Sequence, residues 1–352
     1  MSRLLEIDGV LTYAQSGVSI DAGDEVVARI GASVARTKRP EVLGGLGGFS
    51  GLFALDQGRY REPVLVASAD GVGTKLEIAR QLGRYDSVGI DLVAMLVDDL
   101  VCVGAEPLFL LDYVAVGSVN PEQLSVLIAG VAEGCAQANV ALLGGETAEH
   151  GGVMKPDDLD LAGFAVGVVE REAILGPERV ERGDVLIGLS SPGLRSNGYS
   201  LARRVFGHDA TTWARPAYEG ATRSLGDELL LPSVIYAPSV LAVRDALGSD
   251  LHAAAHVTGG GIVGNVVRLL PEGHQAVIDM ESFDTPEIFF ELQRRGPISP
   301  DEMVRVFNCG LGMTLAVASS RVDDALAAAH ERGLDASVVG VVRSGPREVV
   351  LV

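Results

Sequence analysis

Apolar segments of strand length alternate with helical segments along this chain of 352 residues, and this alternation sets its fold class. In the first half it predicts strands at 63–69, 108–116, 140–144 and 161–169 and helices at 76–81, 91–103 and 122–137. In the second half it predicts strands at 185–189, 275–279 and 313–317 and helices at 198–205, 228–246, 262–270 and 322–332. A turn-rich segment at 175–184 separates the halves. We therefore predict an α/β (α+β) fold of two domains, residues 1–174 and 175–352.

The formal charge of −19 argues against a nucleic-acid-binding protein, since contacts with phosphate backbones require concentrated Lys and Arg. Charges interrupt the longest apolar stretches well short of the roughly 20 residues of a membrane span. The first residues also lack the apolar core of a signal peptide. We therefore expect a cytoplasmic protein that contacts neither nucleic acid nor membrane. Lysine occurs only at Lys38, Lys75 and Lys155, so each lysine is informative about its surroundings.

A glycine-rich turn, Ser-Ala-Asp-Gly-Val-Gly-Thr-Lys at 68–75, follows the first predicted strand. Gly71 and Gly73 let backbone N–H groups approach an anion, Lys75 adds a positive charge, and Asp70 is suited to hold Mg²⁺ between phosphates. The spacing differs from that of a Walker A loop. A plain tight turn explains the glycines alone, whereas the aspartate and the rare lysine favour a phosphate or metal site.

Carboxylates in the predicted helix 91–103 and at Glu146 are candidates for further ligands of the Mg²⁺ ion predicted at Asp70. The predicted helix 91–103 is apolar nearly all round, so its acidic side chains must be paired or bound to a cation. Asp91 and Asp98 share a face of it, and Asp99 points about 80° away. Glu146 follows two glycines at the end of another strand. We prefer one or two of the helix aspartates as metal ligands; capping of loops or pairing with arginine is the alternative.

Glycine turns elsewhere predict further contacts with ligands. Residues 44–48 contain four glycines, which suits a lid over ATP or a surface hairpin. Ser-Asn-Gly at 196–198 and Thr-Gly-Gly-Gly at 258–261 each open a predicted helix, where N–H groups suit a phosphate, although simple capping is the alternative. The turn at Asn308 is a weaker signal. His252 and His256, four residues apart, are expected to be structural.

These motifs, in this order, closely resemble the aminoimidazole ribonucleotide synthetase family, the phosphoribosylformylglycinamidine cyclo-ligases. The resemblance runs from residues 13–23 through the blocks at 39–48, 70–75, 104–108, 144–149, 196–200 and 258–261 to 307–310. It implies an N-terminal sheet domain that forms a homodimer, a C-terminal α/β domain, and a nucleotide site between them. It also implies ATP and Mg²⁺ as requirements and formylglycinamidine ribonucleotide as the substrate.

The resemblance and the local motifs together give a set of expected site residues. The expected catalytic residues are Asp70, Lys75 and Asp99, and the expected Mg²⁺ ligands are Asp70, Asp99 and Glu146. The expected ATP-binding residues are Gly44, Gly45, Gly47, Gly48, Asp70, Gly71, Gly73, Thr74, Lys75 and Glu146. The expected substrate-binding residues are Ser196, Asn197, Gly259, Gly260, Gly261 and Asn308.

Some positions depart from the usual family pattern. Arg195 stands where a His is typical, Asp98 where others often have Asn, Val234 where Arg is common, and Pro238 where Lys is frequent. A proton-transfer role at residue 195 is therefore not carried over. The alternatives are thiamine-monophosphate kinase, selenophosphate synthetase, a hydrogenase-maturation ATPase, formylglycinamide ribonucleotide amidotransferase and a non-catalytic ATP-binding scaffold. A missing catalytic Cys argues against the second and a missing glutaminase domain against the fourth.

Overall fold

A computed structural model describes residues 14–45, 48–56 and 58–352 of the chain. The helices of its first half are α1 Ile20–Ala35, α2 Lys75–Leu82, α3 Val88–Val101 and α4 Pro121–Gln137. The strands of this half are β1 Val42–Leu43, β2 Leu52–Phe53, β3 Pro63–Gly71, β4 Glu106–Val116, β5 Ala141–Glu149 and β6 Leu159–Glu170. The predicted strands and helices of this half are confirmed to within a few residues, and α1 and the β1–β2 hairpin are additional.

Local sequence explains where the helices of this half begin and end. Ser19 and Asn120 cap α1 and α4, because their side chains accept backbone N–H groups of the first turn. Pro121 occupies the first turn of α4, where a missing N–H costs nothing. Gly83 ends α2 in the left-handed conformation, at a φ of +63°.

The first sheet has the strand order β3-β6-β4-β5, with β4 and β5 parallel and the other pairs antiparallel. Helix α3 packs on one face, α4 packs on α3, and α1 packs on α4. The face toward α3 buries Leu110, Val114 and Leu161 completely, each contributing roughly 1.5–3 kcal/mol. The other face leaves Leu65 66% and Phe164 41% exposed. One face of this sheet is therefore uncovered in the single chain.

The second half forms a six-stranded sheet in the order β12-β9-β11-β7-β10-β8. Its strands are β7 Val185–Ser190, β8 Leu251–His256, β9 His274–Ile278, β10 Leu311–Val317, β11 Ala336–Ser344 and β12 Glu348–Leu351. Its helices are α5 Tyr199–Phe206, α6 Ala210–Trp213, α7 Leu225–Leu229, α8 Ala237–Leu247, α9 Gly261–Val266, α10 Glu287–Arg295, α11 Pro300–Val306 and α12 Val322–His330. Strand β10 is buried at every residue, so the core of this half runs along it.

The prediction of one helix at 228–246 is wrong. Helix α7 ends at Leu229, α8 begins at Ala237, and the segment 230–236 between them is irregular. Pro232 cannot donate a helical hydrogen bond, and carboxylates of α3 accept backbone N–H groups of this segment. Strand β8, which the periodicity does not predict, follows α8.

Along the chain, the strands of the first sheet precede the segment 171–184 and the strands of the second sheet follow it. The boundary predicted between residues 174 and 175 falls within this segment and stays a prediction. Helix α3 of the first half packs against α8 and β8 of the second. Of the helices in the described ranges, none is long and apolar enough to cross a membrane.

Candidate active site in the cleft between the two sheets

Two aspartates of the first half lie near each other where the two halves of the chain face each other, a region that we call the cleft. Asp70 lies at the end of β3, exposed to solvent, and its Oδ1 accepts the Gly71 N–H at 2.7 Å. Asp99 lies near the end of α3, and its side chain is 47% exposed. Partial desolvation of the carboxyl group and the nearby charge of Asp99 raise the pKa of Asp70. Asp70 and Asp99 are thus close enough for their charges to interact, and their binding of Mg²⁺ stays a prediction.

The second half supplies the opposite wall of this cleft. Thr74 Oγ1 and Ser200 Oγ lie 3.1 Å apart, which joins the glycine turn after β3 to the start of α5. Asn197 contacts Met95 of α3, with 3.7 Å between Nδ2 and Sδ. A Cβ atom on residue 259 would lie 3.4 Å from Asn197 Oδ1, so the turn before α9 also reaches this wall. Thr74, Asn197 and Gly259 thus lie where the two halves contact each other, and their roles in binding ATP and substrate stay predictions.

Lys75 occupies a different position from the one predicted for a phosphate contact. Its side chain is completely buried, and Nζ lies 2.6 Å from Asp91 Oδ2. Nζ also donates to the carbonyl oxygens of Leu231, at 2.6 Å, and Arg195, at 3.2 Å. Burial lowers the pKa of Lys75, which the charge of Asp91 opposes. The ammonium group thus holds the two halves together behind the turn, and its catalytic role stays a prediction.

Asp91 and Asp98 of α3 both bind the segment 231–237 of the second half. Asp91 Oδ1 accepts the Ser233 N–H at 2.8 Å and the Ser233 hydroxyl at 2.6 Å. Asp98 Oδ1 accepts the N–H groups of Tyr236 and Ala237 at 2.8 and 2.9 Å, which caps α8. Both side chains are fully buried. The protein thus supplies hydrogen-bond donors and cations to both carboxylates. For Asp91 and Asp98 the structure therefore favours capping and ion pairing over metal binding.

Arg195 and His256 connect this buried layer to the exposed Asp99. Arg195 Nη2 lies 2.8 Å from Asp98 Oδ2 and 2.9 Å from His256 Nε2. His256 Nδ1 lies 2.9 Å from Asp99 Oδ1. His256 was expected to be structural, and its contact with Asp99, a predicted site residue, was not expected. The available signal was its position two residues before the glycine turn at 258–261.

Glu146 is not brought together with Asp70 and Asp99. It lies on β5, at the opposite edge of the sheet from β3, roughly 14 Å away at three strand spacings. Its register partner is Tyr113, which lies on the uncovered face, whereas Asp70 pairs with Gly163 on the face toward α3. No single ion can bind all three carboxylates within one chain, so the three-ligand arrangement is not found there.

The described glycines of the segment 44–48 lie near this same far edge. Gly44 and Gly45, together with Lys38 and Leu143, line a cavity of about 240 Å³ between α1, the β1–β2 hairpin and β5. Gly48 is exposed, and Gly47 lies outside the described residues. The predicted lid is thus separated from Asp70 within one chain, and its contact with ATP stays a prediction.

The remaining predicted substrate residues differ in their surroundings. Asn308 is buried, and its side chain bonds to Gly193 O and the Gly310 N–H, so it holds a turn. Gly261 is required by packing, because a Cβ there would lie 2.2 Å from Val304 O. Gly260 adopts a φ of +102°. Ser196 Oγ is buried without a hydrogen-bond partner beside the cleft wall.

The residues at the cleft suit a hard divalent cation that is bound partly by protein carboxylates and partly by the phosphates of a bound nucleotide. Within the ranges that the structure describes, no three His, Cys, Asp or Glu side chains are placed to hold a metal. Mg²⁺ in nucleotide-dependent enzymes commonly binds one or two carboxylates, with water and substrate phosphates completing its shell. Asp70 and Asp99 supply two such carboxylates, and their mutual repulsion favours a cation between them. The donor set thus fits Mg²⁺.

Comparisons with known proteins identify the family of this chain. The models for the N-terminal and C-terminal domains of AIR synthase related proteins match residues 56–169 and 181–352. A phosphoribosylformylglycinamidine cyclo-ligase of Myxococcus xanthus is 50% identical over 97% of this chain and 98% of the relative. A cyclo-ligase of the same name from Carboxydothermus hydrogenoformans is 48% identical over the same shares.

Solved structures share the fold at low sequence identity. A thiamine-monophosphate kinase of Stenotrophomonas maltophilia superimposes with a TM-score of 0.67 and 21% identity, covering 93% of this chain and 95% of the kinase. The hydrogenase maturation protein HypE in complex with ATP gives 0.64 and 15%, covering 94% and 91%. These similarities establish the two-sheet fold alone. By its close relatives and both domain matches, this chain belongs to the phosphoribosylformylglycinamidine cyclo-ligase family of AIR synthase related proteins.

Proposed function

We propose that this protein converts formylglycinamidine ribonucleotide to aminoimidazole ribonucleotide at the expense of ATP, in purine biosynthesis. The observation that carries the proposal is the 50% identity to a cyclo-ligase over nearly the whole of both chains. The cleft supports it, because an acidic corner on one wall faces polar side chains and a glycine turn on the other. Phosphoryl transfer chiefly requires this kind of positioning and charge stabilisation.

In the proposed reaction the bond between the γ-phosphorus and the bridging oxygen of ADP breaks, and the formyl oxygen bonds to that phosphorus. An amidine nitrogen then bonds to the formyl carbon, the bond between this carbon and the phosphorylated oxygen breaks, and inorganic phosphate leaves. The protons that nitrogen loses on ring closure pass to phosphate and solvent. When bound, Mg²⁺ supplies charge stabilisation to the transferring phosphoryl group. Asp70 and Asp99 would hold this ion, and Asn197 and Ser196 would orient the substrate. Holding the two reacting groups together removes much of the entropic barrier to ring closure.

We further propose two domains, residues 1–174 and 175–352, and a homodimer formed through the uncovered face of the first sheet. Leu65, Tyr113 and Phe164 on that face support the dimer, because exposed apolar side chains grouped on one face suit an interface. The predicted metal role of Glu146 requires Glu146 of the partner subunit, given its distance from Asp70. Sedimentation analysis should show a dimer, and Phe164→Asp should shift it toward the monomer. We expect the protein in the cytoplasm.

The function is tested by growth rescue of a purine-requiring host that lacks this step, together with an assay of the purified protein. The unchanged protein should rescue growth and form ADP and aminoimidazole ribonucleotide, whereas Asp70→Asn should do neither. Asp323→Asn, at an exposed site on α12, is the matched control and should behave as the parent.

Each other outcome has a definite meaning. Rescue by both the parent and Asp70→Asn would contradict the role of Asp70. Rescue by neither, with a folded protein that binds ATP, would favour the non-catalytic scaffold. Phosphorylation of thiamine monophosphate in place of ring closure would favour the kinase alternative.

A further inference from the structure

The side chain of Arg195 is buried in the middle of a chain of hydrogen bonds that leads to Asp99. It is 1% exposed, and its guanidinium group lies 4.5 Å from the centroid of the Tyr236 ring. Nη1 donates to Val234 O at 2.8 Å, and Nη2 contacts both Asp98 and His256. The residue also has a φ of +62°, which is unfavourable for a side chain with a Cβ. Several contacts therefore hold Arg195 in one orientation at some cost in backbone energy.

This orientation determines which nitrogen of His256 carries a proton. A guanidinium group has only donors and stays protonated, so the Nε2 atom facing Nη2 at 2.9 Å must accept. A neutral imidazole then carries its proton on Nδ1. Nδ1 lies 2.9 Å from Asp99 Oδ1, so it donates to that carboxylate. One oxygen of Asp99 is therefore fixed by the protein, and the other stays available to the cleft.

The carboxylate of Asp98 stabilises the buried guanidinium group of Arg195, which would be strongly unfavourable without a counter-charge. Its Oδ2 lies 2.8 Å from Arg195 Nη2, and its Oδ1 is held by two backbone N–H groups at the start of α8. Asp98 and Arg195 are also two of the positions at which this sequence departs from the usual family pattern. The contact between them joins the two departures in one interaction.

We propose that His256 is a positioning residue for Asp99, and that the Arg195–Asp98 pair fixes its neutral Nδ1–H tautomer. The pattern resembles the outer-shell hydrogen bonds that orient metal ligands in other proteins. Only the identity of Asp99 as a Mg²⁺ ligand rests on the proposed function. The tautomer is a property of the protein without any ligand.

Nitrogen NMR of protein labelled with ¹⁵N-histidine tests the tautomer directly. The chain has six histidines, so the His256 signals are identified by their loss in His256→Asn. His252 is an internal control: it lies on the same strand, and its Nδ1 is 2.7 Å from Asp184 Oδ2. We expect Nδ1 of His256 to be protonated and Nε2 to be unprotonated at neutral pH. A proton on Nε2 would overturn the proposal.

Removing the arginine should release the tautomer. In Arg195→Met the Nε2 signal of His256 should move toward the protonated form, because Asp98 Oδ2 is 3.9 Å away, while the His252 signals stay unchanged. If this variant does not fold, Arg195→Met with Asp98→Asn removes both charges and retains an acceptor for the Tyr236 and Ala237 N–H groups. His256 should then populate both tautomers. An unchanged His256 spectrum in the folded variant would overturn the role of Arg195.

Calorimetric titration with Mg·ADP tests the consequence for Asp99. His256→Leu should weaken binding by roughly 10–100-fold, as removal of outer-shell partners typically does. His256→Asn should retain most of the affinity, because its amide can donate from the position of Nδ1. Equal loss in both variants, or in neither, would contradict the positioning role. A protein that shows the Nδ1–H tautomer and this affinity pattern but forms no aminoimidazole ribonucleotide would overturn the proposed function and leave this inference intact.

Discussion

The aspartates of helix α3 lie in two environments, which differ in how many hydrogen-bond donors the protein supplies to each carboxylate. Asp91 and Asp98 are buried, and backbone N–H groups, a hydroxyl group and two cationic side chains surround them. Asp99, one residue further on, is half-exposed, and His256 donates to one of its oxygens. We refer to these as the buried acids and the rim acid. The comparison teaches that residue type alone does not separate these environments, whereas the number of carboxylate oxygens left without a protein donor does.

The largest effect is expected on stability, at the buried acids. Asp91→Ala leaves the ammonium of Lys75 buried with only carbonyl oxygens, so the free energy of unfolding should fall by about 3–5 kcal/mol. Denaturant unfolding measures this loss. Asp24→Ala, at an exposed site on α1, serves as the control. A loss below about 1 kcal/mol would mean that the buried pair contributes no more than a surface pair.

The rim acid should show the opposite behaviour. Asp99→Asn should lower kcat for ring closure by about 10²–10³-fold, the range seen when one group that stabilises transition-state charge is removed. Its melting temperature should stay near that of the parent, because Asn still accepts a hydrogen bond from His256. Steady-state kinetics and a thermal melt on the same sample separate the two effects. A large drop in melting temperature with unchanged kcat would reverse the assignment of the two environments.

Asp112 on β4 is also buried, and it sharpens the comparison because no cation among the described residues balances it. Burial raises its pKa to about 7, from the usual 3.8. The folded state therefore keeps a proton that the unfolded state loses, so stability should fall as pH rises from about 4 to about 7 and then level off. Asp112→Asn should remove this fall and gain about 2–4 kcal/mol at pH values above 7. Unfolding measured across pH checks this, and parallel curves for both proteins would refute it.

The smallest effect is expected where an acid is paired on the open surface. Glu25 and Arg29 form an ion pair one turn apart on α1, and both side chains are about half exposed. Glu25→Gln should change the free energy of unfolding by less than about 0.5 kcal/mol, and raised salt should make the difference smaller still. Urea titrations at low and high salt measure it. A change as large as that of Asp91→Ala would show that burial does not determine how much an ion-paired acid contributes to the free energy of unfolding.

Periodicity predicted the elements of the first sheet closely, because their apolar segments are long and regular. It also placed Asp91 and Asp98 on one face of α3 and Asp99 on another, as the structure shows. The helix predicted at 228–246 failed because its backbone N–H groups bond to carboxylates more than 130 residues away. Such partners leave no trace in a local pattern.

The order of strands in the sheet limited the prediction of the site. Asp70 and Glu146 look equivalent in sequence, because each follows an apolar segment and lies beside glycines, and both prove to lie near the ends of strands. The order β3-β6-β4-β5 nevertheless places them at opposite edges. Lys75 was predicted to contact phosphate because lysine is rare here, but its partner Asp91 could not be distinguished from a metal ligand. His256 was missed because its role depends on Arg195, which is distant in sequence.

The hydrogen bonds from segment 231–237 to Asp91 and Asp98 limit how far the two halves of the chain can move apart. Opening the two halves like a hinge would expose two carboxylates together with the Lys75 and Arg195 cations, and would break all their hydrogen bonds at once. Thermal fluctuations of a few kcal/mol will not populate such a state appreciably. The two halves should therefore move as one body at this contact. The arrangement of the residues around Asp99 is then set before any ligand arrives.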